Sequence, residues 1–266
     1  MLALSDGSVV VLYAGSFGKF DMNFRGNRDC LQMISMGTYD NLTSSLQFGP
    51  TMVLQYAEGG HQKNWVHTYI HAYIHSRLLV MWVGKLQVPF EYNDTLHFIQ
   101  SIHPLHVVAV DAFHSERHAA SIRTVHRDAS NQSQSLPWKG QEYGVHLRGS
   151  TPAILVRGIY LAIFHTQINL RVFYSLNTYF MGAVSFCPHP PFRMHSISAY
   201  PIVDSKFYEG NWVPKFHNYV VFPSGLVLEE GGKHLLLTMG HQDMSAWVLR
   251  LEVDGLLDSM DVVNEC

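Results

Sequence analysis

The sequence predicts an all-β fold. Three observations carry that expectation. Short runs rich in β-branched and aromatic residues recur along the chain, such as Val9-Val-Val-Leu-Tyr-Ala14, Leu96-His-Phe-Ile-Gln-Ser-Ile102 and Ile159-Tyr-Leu-Ala-Ile-Phe-His165. Gly and Asp turns separate them, as in Glu230-Gly-Gly-Lys233. No stretch of these repeats shows an apolar period near 3.6, whereas β-rich runs bounded by turn residues are what strands require.

Taken in order, the runs form a repeating unit. A partial first copy is Ser5-Asp-Gly-Ser8 followed by Val9 to Ala14. A second holds Pro89 to Asp94, Leu96 to Ile102 and His106-Val-Val-Ala-Val110. The third has Ser150 to Val156, Ile159 to His165, Tyr179-Phe-Met-Gly-Ala-Val-Ser-Phe186 and Phe192 to Ser198. In the last, Val220 to Leu228 leads to Leu235-Leu-Leu-Thr-Met-Gly240 and Ala246 to Val253. A repeat of roughly 60–70 residues holding about four strands is the signature of a propeller blade. A β-sandwich is the alternative, but a sandwich does not repeat its turn chemistry at this spacing. The whole of 1–266 is accordingly expected to be a single β-propeller domain.

Composition bounds the rest. The chain is 47% hydrophobic and 15% charged over 266 residues, which excludes disorder for most of it. The most apolar window, Ser76 to Val83, is far shorter than the roughly 20 residues of a spanning helix, so no membrane span is expected. A net charge of -3 offers no basic stripe for nucleic acid. Cys30, Cys187 and Cys266 are too few and too scattered for a disulfide framework or a zinc knuckle. The opening Met1-Leu-Ala-Leu-Ser-Asp-Gly7 has neither a basic nor a long apolar stretch, so it is not a signal peptide. Either the protein is cytosolic or its true start is missing, and localisation stays open.

Val66 to Gln87 breaks the pattern. The near-tandem Val66-His-Thr-Tyr-Ile-His-Ala-Tyr-Ile-His75 would set His67, His71 and His75 on one helical face, a spacing that can share a metal. No carboxylate follows in the pattern, and no metal or cofactor is assigned. The other reading is a retained intron. Valine codons begin with GT, a glutamine codon can end in AG, and removal joins Lys63-Asn-Trp65 directly to Val88-Pro-Phe90.

So joined, Lys63-Asn-Trp-Val-Pro-Phe resembles a blade motif of the five-bladed β-propeller glycosidases. So do Arg148-Gly-Ser-Thr-Pro152, Tyr160 to His165, Phe222-Pro-Ser-Gly225 and Met239-Gly-His-Gln-Asp243. Within these the resemblance is to glycoside hydrolase family 130, the mannoside phosphorylases and hydrolases, and to related propellers attached to glycosyltransferases. It covers nearly all of the chain except 66–87 and Glu116 to Leu136. It implies five blades, of which about four are present, and a sugar or glycan substrate, with inorganic phosphate if the reaction is phosphorolytic. The Glu-Asp-Pro-Arg signature that precedes a strand like Asp6 to Tyr13 in that family does not occur here, and no residue matches its early-blade general acid. An N-terminally truncated gene model is expected to account for both. A non-catalytic glycan-binding propeller of a glycosyltransferase polypeptide is the alternative function.

Propeller sites lie where inner strands begin, at Lys63-Asn64, Arg148-Gly-Ser150 and Val221 to Ser224 in this reading. Polar residues buried there without a partner would cost about 1–3 kcal/mol each, a cost a ligand removes; strand-end caps or ordered water are the other explanation. Arg148 suits a bidentate grip on phosphate or carboxylate, with Lys63 beside it, but also suits a surface ion pair. His165, closing an apolar strand, faces the channel mouth or is a core histidine. Asp243 contacts sugar hydroxyls in the family, or is a turn residue. The expected substrate-binding set is Lys63, Asn64, Arg148, Ser150, His165 and Asp243. Trp65, Trp138, Trp212 and Tyr160 are candidates to stack on sugar faces. Among the carboxylates Asp243, Glu209 and Glu91, none is assigned as general acid, since nothing fixes the separations that hydrolysis requires.

Overall fold

The computed structural model describes residues 2–3, 8–15, 31–40, 45–48, 52–56, 88–114, 119–129, 135–139, 146–171, 175–208, 219–242 and 244–266. Residues 66–87, expected to be an insertion, lie outside them together with their histidines.

Nearly every described element is a strand. The first nine are β1 (Leu2–Ala3), β2 (Ser8–Gly15), β3 (Leu31–Asp40), β4 (Ser45–Phe48), β5 (Met52–Tyr56), β6 (Val88–Tyr92), β7 (Thr95–Ser101), β8 (His106–His114) and β9 (Ala119–Arg127). Next come β10 (Arg148–Gly149), β11 (Ile154–Val156), β12 (Ile159–Arg171), β13 (Ser175–Phe186), β14 (Met194–Ser198), β15 (Val221–Leu228), β16 (His234–His241), β17 (Ser245–Glu252) and β18 (Met260–Val262). A 3-10 turn at Ser205–Tyr208 and the short helix α1 (Val253–Asp258) complete the list. The fold is all-β. Among the described residues no helix is long and apolar enough to cross a membrane.

The strands form three sheets, ordered β1-β2-β3-β5-β9-β8-β7-β6 with β4 on β3, β10-β12-β13-β14-β18 with β11 on β12, and β15-β16-β17. The chain also divides into two compact units, residues 1–86, 91–97 and 108–124, and residues 87–90, 98–107 and 125–266.

In the first unit β2 and β3 pair antiparallel from Ser8↔Thr38 to Gly15↔Leu31. The far end of β3 then pairs with β4, and Met33–Ile34 pair with β5. β5 and β9 run parallel, Val53↔Ala119 to Tyr56↔Ile122. Between β6 and β7 the chain reverses at Asn93 and Asp94, whose φ angles of 48° and 54° are both left-handed. Two consecutive left-handed residues match the twist of a tight hairpin, and Asn and Asp tolerate them best.

In the second unit the ladder of β12 and β13 is the spine, twelve registered pairs from Tyr160↔Phe186 to Arg171↔Ser175. Alternation sends Leu161 and Ile163 of β12, with Met181 and Ala183 of β13, to one face, where they pack with Val221, Leu226, Leu235, Leu237 and Met239 of β15 and β16. Val253 and Leu256 of α1 close this core from one end. Burying each such aliphatic side chain is worth about 1.5–3 kcal/mol. Tyr160 and Phe164 take the other face. The ring of Phe164 meets Trp138 edge-on at 5.0 Å, and Tyr160 lies 4.8 Å from Phe90. Ala246 to Val253 was expected to be a strand throughout; it turns helical at Val253, where the backbone folds inward to bury Val253 and Leu256.

Gly182 is dictated by close approach. A Cβ there would collide with the Phe164 ring and stand 2.8 Å from the Ser198 hydroxyl, which itself accepts the Ala183 N–H at 3.0 Å. Gly182→Ala should therefore overpack this face and cost about 1–3 kcal/mol. Chemical denaturation checks it; unchanged stability would mean that Phe164 repacks freely.

Strand β18 returns after the three-stranded sheet to pair with β14, Ser196↔Val262 to Ser198↔Met260. The tail beyond it is held by Val263 N–H on the His195 carbonyl, and Cys266 reaches Cys187 at the end of β13 in a disulfide. That bond closes a separation of 79 residues, worth about 4 kcal/mol in the chain-entropy account. Cysteine spacing gave no sign of it, because the β14–β18 pairing brings the two thiols together.

His106 at the start of β8 is buried, and its Nε2 accepts N–H groups from Arg127 Nε at 3.3 Å and Nη2 at 3.2 Å. The acceptor role fixes it as neutral. Burial, then the positive charge of Arg127 and of His126, push its pKa from 6.5 down to about 4. Burial also lowers His97 and His103. The unfolded chain thus binds more protons between pH 6.5 and 4, so stability is full above 6.5 and is lost as pH falls toward 4. His106→Gln, measured by Tm at a series of pH values, should flatten this slope; identical slopes would refute the assignment.

Candidate functional site

Arg148, Ser150 and His165 meet where β10 pairs with the middle of β12, which runs on past His165 to Arg171 instead of closing there. The local cause is Thr151. Its hydroxyl accepts the Ile163 N–H at 2.9 Å while its own N–H donates to the Ile163 carbonyl at 3.2 Å. This clamp, followed by Pro152, ends the pairing of β10 with β12 and sets the register Arg148↔His165 and Gly149↔Phe164. Residues directly opposite across a ladder share a face. Arg148 and His165 are such a pair, with Met181 opposite His165 on the other side. Ser150 hydrogen-bonds Nδ1 of His165 through its hydroxyl.

The other flank is aromatic. The His165 ring lies 4.5 Å from Phe222 of β15 and 6.2 Å from Tyr179 of β13, and Tyr179 and Phe222 are 6.5 Å apart. His165 is buried at 7% exposure, whereas Phe222 keeps 40%. Arg148 is half-buried. The cluster therefore combines a five-donor guanidinium, a Ser–His pair and two rings, one of them open to solvent. Such a set can grip hydroxyl or oxyanion oxygens while a ring covers an apolar face.

A second buried histidine, His241, ends β16 opposite Val221. His241 is 2% exposed, stacks on Trp247 at 4.4 Å, and places Nε2 2.7 Å from the Phe207 carbonyl. A carbonyl only accepts, so Nε2 carries the proton and Nδ1 is an acceptor. Nδ1 has no hydrogen-bond partner among the described residues. Next to it, Gln242 holds both backbone groups of Val220: its N–H donates to the Val220 carbonyl at 2.8 Å, and its Oε1 accepts the Val220 N–H at 3.0 Å. The turn after β16 is thus fixed at the start of β15, one residue from Val221 and two from Phe222.

No protein-family model and no curated protein matches the chain. Among solved structures it is similar to a glycosyl hydrolase from Bacteroides ovatus, at 14% identity and a TM-score of 0.46, over 95% of this chain and 63% of that one. It is also similar to two proteins of Leishmania mexicana. One is the GDP-Man-dependent mannosyltransferase MPT-1, at 12% identity and a TM-score of 0.48, over 94% of this chain and 68% of that one. The other is the mannose phosphorylase MPT-4, at 13% identity and a TM-score of 0.48, over 98% and 68%. The chain spans less than two thirds of the length of the Bacteroides hydrolase. Likenesses at these values assign no activity.

Of the six expected site residues, Arg148, Ser150 and His165 lie together; Lys63, Asn64 and Asp243 fall outside the described residues, as do Trp65, Trp212 and Glu209. Trp138 and Tyr160 are not stacking platforms. Both are buried, on the face of β12 opposite to His165. Tyr179 and Phe222, which the sequence reading did not single out, are the rings beside His165. Removing the Ser150 hydroxyl takes a hydrogen bond from a buried ring, so Ser150→Ala should cost about 1–3 kcal/mol and Ser150→Thr much less. Urea unfolding of both variants tests this, and equal losses would place the effect in packing instead.

Proposed function

We propose that the chain is a carbohydrate-active β-propeller of the glycoside hydrolase or phosphorylase type, acting on mannose-like glycosides. One observation carries the reading. Arg148, Ser150 and His165, each from a motif with sugar-binding chemistry, are neighbours, and Tyr179 and Phe222 stand against His165. Sugar recognition needs this mixture, because a sugar presents hydroxyls at its rim and C–H groups on its faces.

In this reading Arg148 grips a hydroxyl pair, or a phosphate if the reaction is phosphorolytic. Ser150 holds the His165 ring so that its other nitrogen addresses the sugar. Phe222, the exposed ring of the set, stacks on it. Lys63, Asn64 and Asp243 complete the polar rim. Blades numbering five belong to the same proposal.

The test is calorimetric titration with β-mannobiose, together with assays of product release in the presence and absence of inorganic phosphate. Wild type should bind, and Arg148→Ala should weaken binding at least tenfold, about 1.4 kcal/mol, with Tm within a few degrees of wild type. Turnover only with phosphate identifies a phosphorylase, and turnover without it a hydrolase. Binding without turnover supports a glycan-binding propeller instead. Full binding by Arg148→Ala would withdraw the site.

A further inference from the structure

A second polar cluster lies apart from these residues. Where β7 leads into β8, β9 ends, and β14 and the tail after β18 run past, a cleft of about 430 Å³ opens. Small-molecule sites span roughly 300–1,000 Å³. Its polar lining is Arg127, Arg193, His103, His126, Asp128 and Asn264, and its apolar lining includes Ile102, Leu136 and Met194.

The charges in this lining do not cancel internally. Asp128 is its single carboxylate, and each of its oxygens already accepts a hydrogen bond from another lining residue. His126 Nε2 donates to Oδ1 at 2.9 Å, and the Leu105 N–H donates to Oδ2 at 3.0 Å. Arg127 spends Nε and Nη2 on His106, a neutral imidazole that compensates no charge. Arg193 appears in none of the ion pairs among the described residues. Two guanidinium groups thus face one carboxylate already held by other donors.

The walls are also held in place. Asn264 donates from Nδ2 to the Met194 carbonyl at 2.8 Å, and its own carbonyl lies 2.8 Å from His195 Nδ1. No group of three or more His, Cys, Asp or Glu suited to a metal occurs among the described residues, so the histidines here do not argue for a cation.

We propose that this cleft binds a small organic molecule through an oxyanion, with Arg193 and Arg127 on the charged group and the apolar lining against the carbon frame. A guanidinium fork matches phosphate and carboxylate alike. The two sources share one recognition chemistry, and the probes separate them.

The 266-residue chain is titrated with glucose 6-phosphate, glucuronate and uncharged glucose. At least one charged sugar should bind ten times or more tighter than glucose. Preference for the phosphate or for the carboxylate then names the oxyanion. Arg193→Ala should weaken that binding at least tenfold, and Arg193→Lys should recover part of it, since the charge returns without the fork. Arg148→Ala should leave it unchanged, which separates this site from the one proposed above. Charged sugars that bind no better than glucose would overturn the proposal. So would wild-type affinity in Arg193→Ala, or an equal loss in Arg148→Ala.

Discussion

The burial of one face of the β12–β13 ladder beneath β15 and β16 is the constraint on which the second unit depends. It fixes side-chain parity along both long strands. Once Leu161 and Ile163 point into this core, His165 must emerge on the same face two residues later, and Tyr179 must flank it across the ladder. A register slip of one residue would send all of them to the Phe164 side. The polar cluster is therefore the end of the core, where the supply of aliphatic residues stops and β10 crosses with Arg148 in place of another apolar residue.

Parity also explains what the sequence made legible. Strands β6, β7, β12, β13, β15, β16 and β17 lie within a few residues of the β-rich runs, because strong turn chemistry brackets them: Asn93-Asp94, Arg157-Gly158 and Gly231-Gly232 all take positive φ. Arg148, Ser150 and His165 could be singled out because polar side chains at strand ends stand out against apolar runs. The aromatic partners could not, since Trp138, Tyr160, Tyr179 and Phe222 are alike in sequence and differ only in the face they occupy. β9 and β18 were equally hidden. Each pairs with a strand distant in sequence, Ala119 with Val53 and Met260 with Ser198, and no local pattern records such a partner.

The two polar places in the second unit differ in kind. Around His165 the donors are mixed with rings, and the ring nitrogen is held by the Ser150 hydroxyl in the middle of β12. In the cleft beside Asp128 the donors are mostly cationic, and the rings are imidazoles tied to charged groups. The two proposals follow this difference: the first places a ligand with many hydroxyls beside rings, and the second places one concentrated negative charge beside guanidinium groups. Their separation follows from the sheet itself: the cluster sits on the β15 side of the β12–β13 ladder, the cleft beside β14 and the returning tail.

That return has a further consequence. The whole three-stranded sheet and α1 are strung between Cys187 and Cys266, and the β14–β18 pairing lies at the same junction. A backbone cut once anywhere in this interval does not release a fragment. Both pieces stay covalently joined, and each keeps its half of the shared core against the other. Nicking there would be invisible to size analysis until the thiols are reduced, and the loops between β14 and β18 are places where the chain can be opened without coming apart.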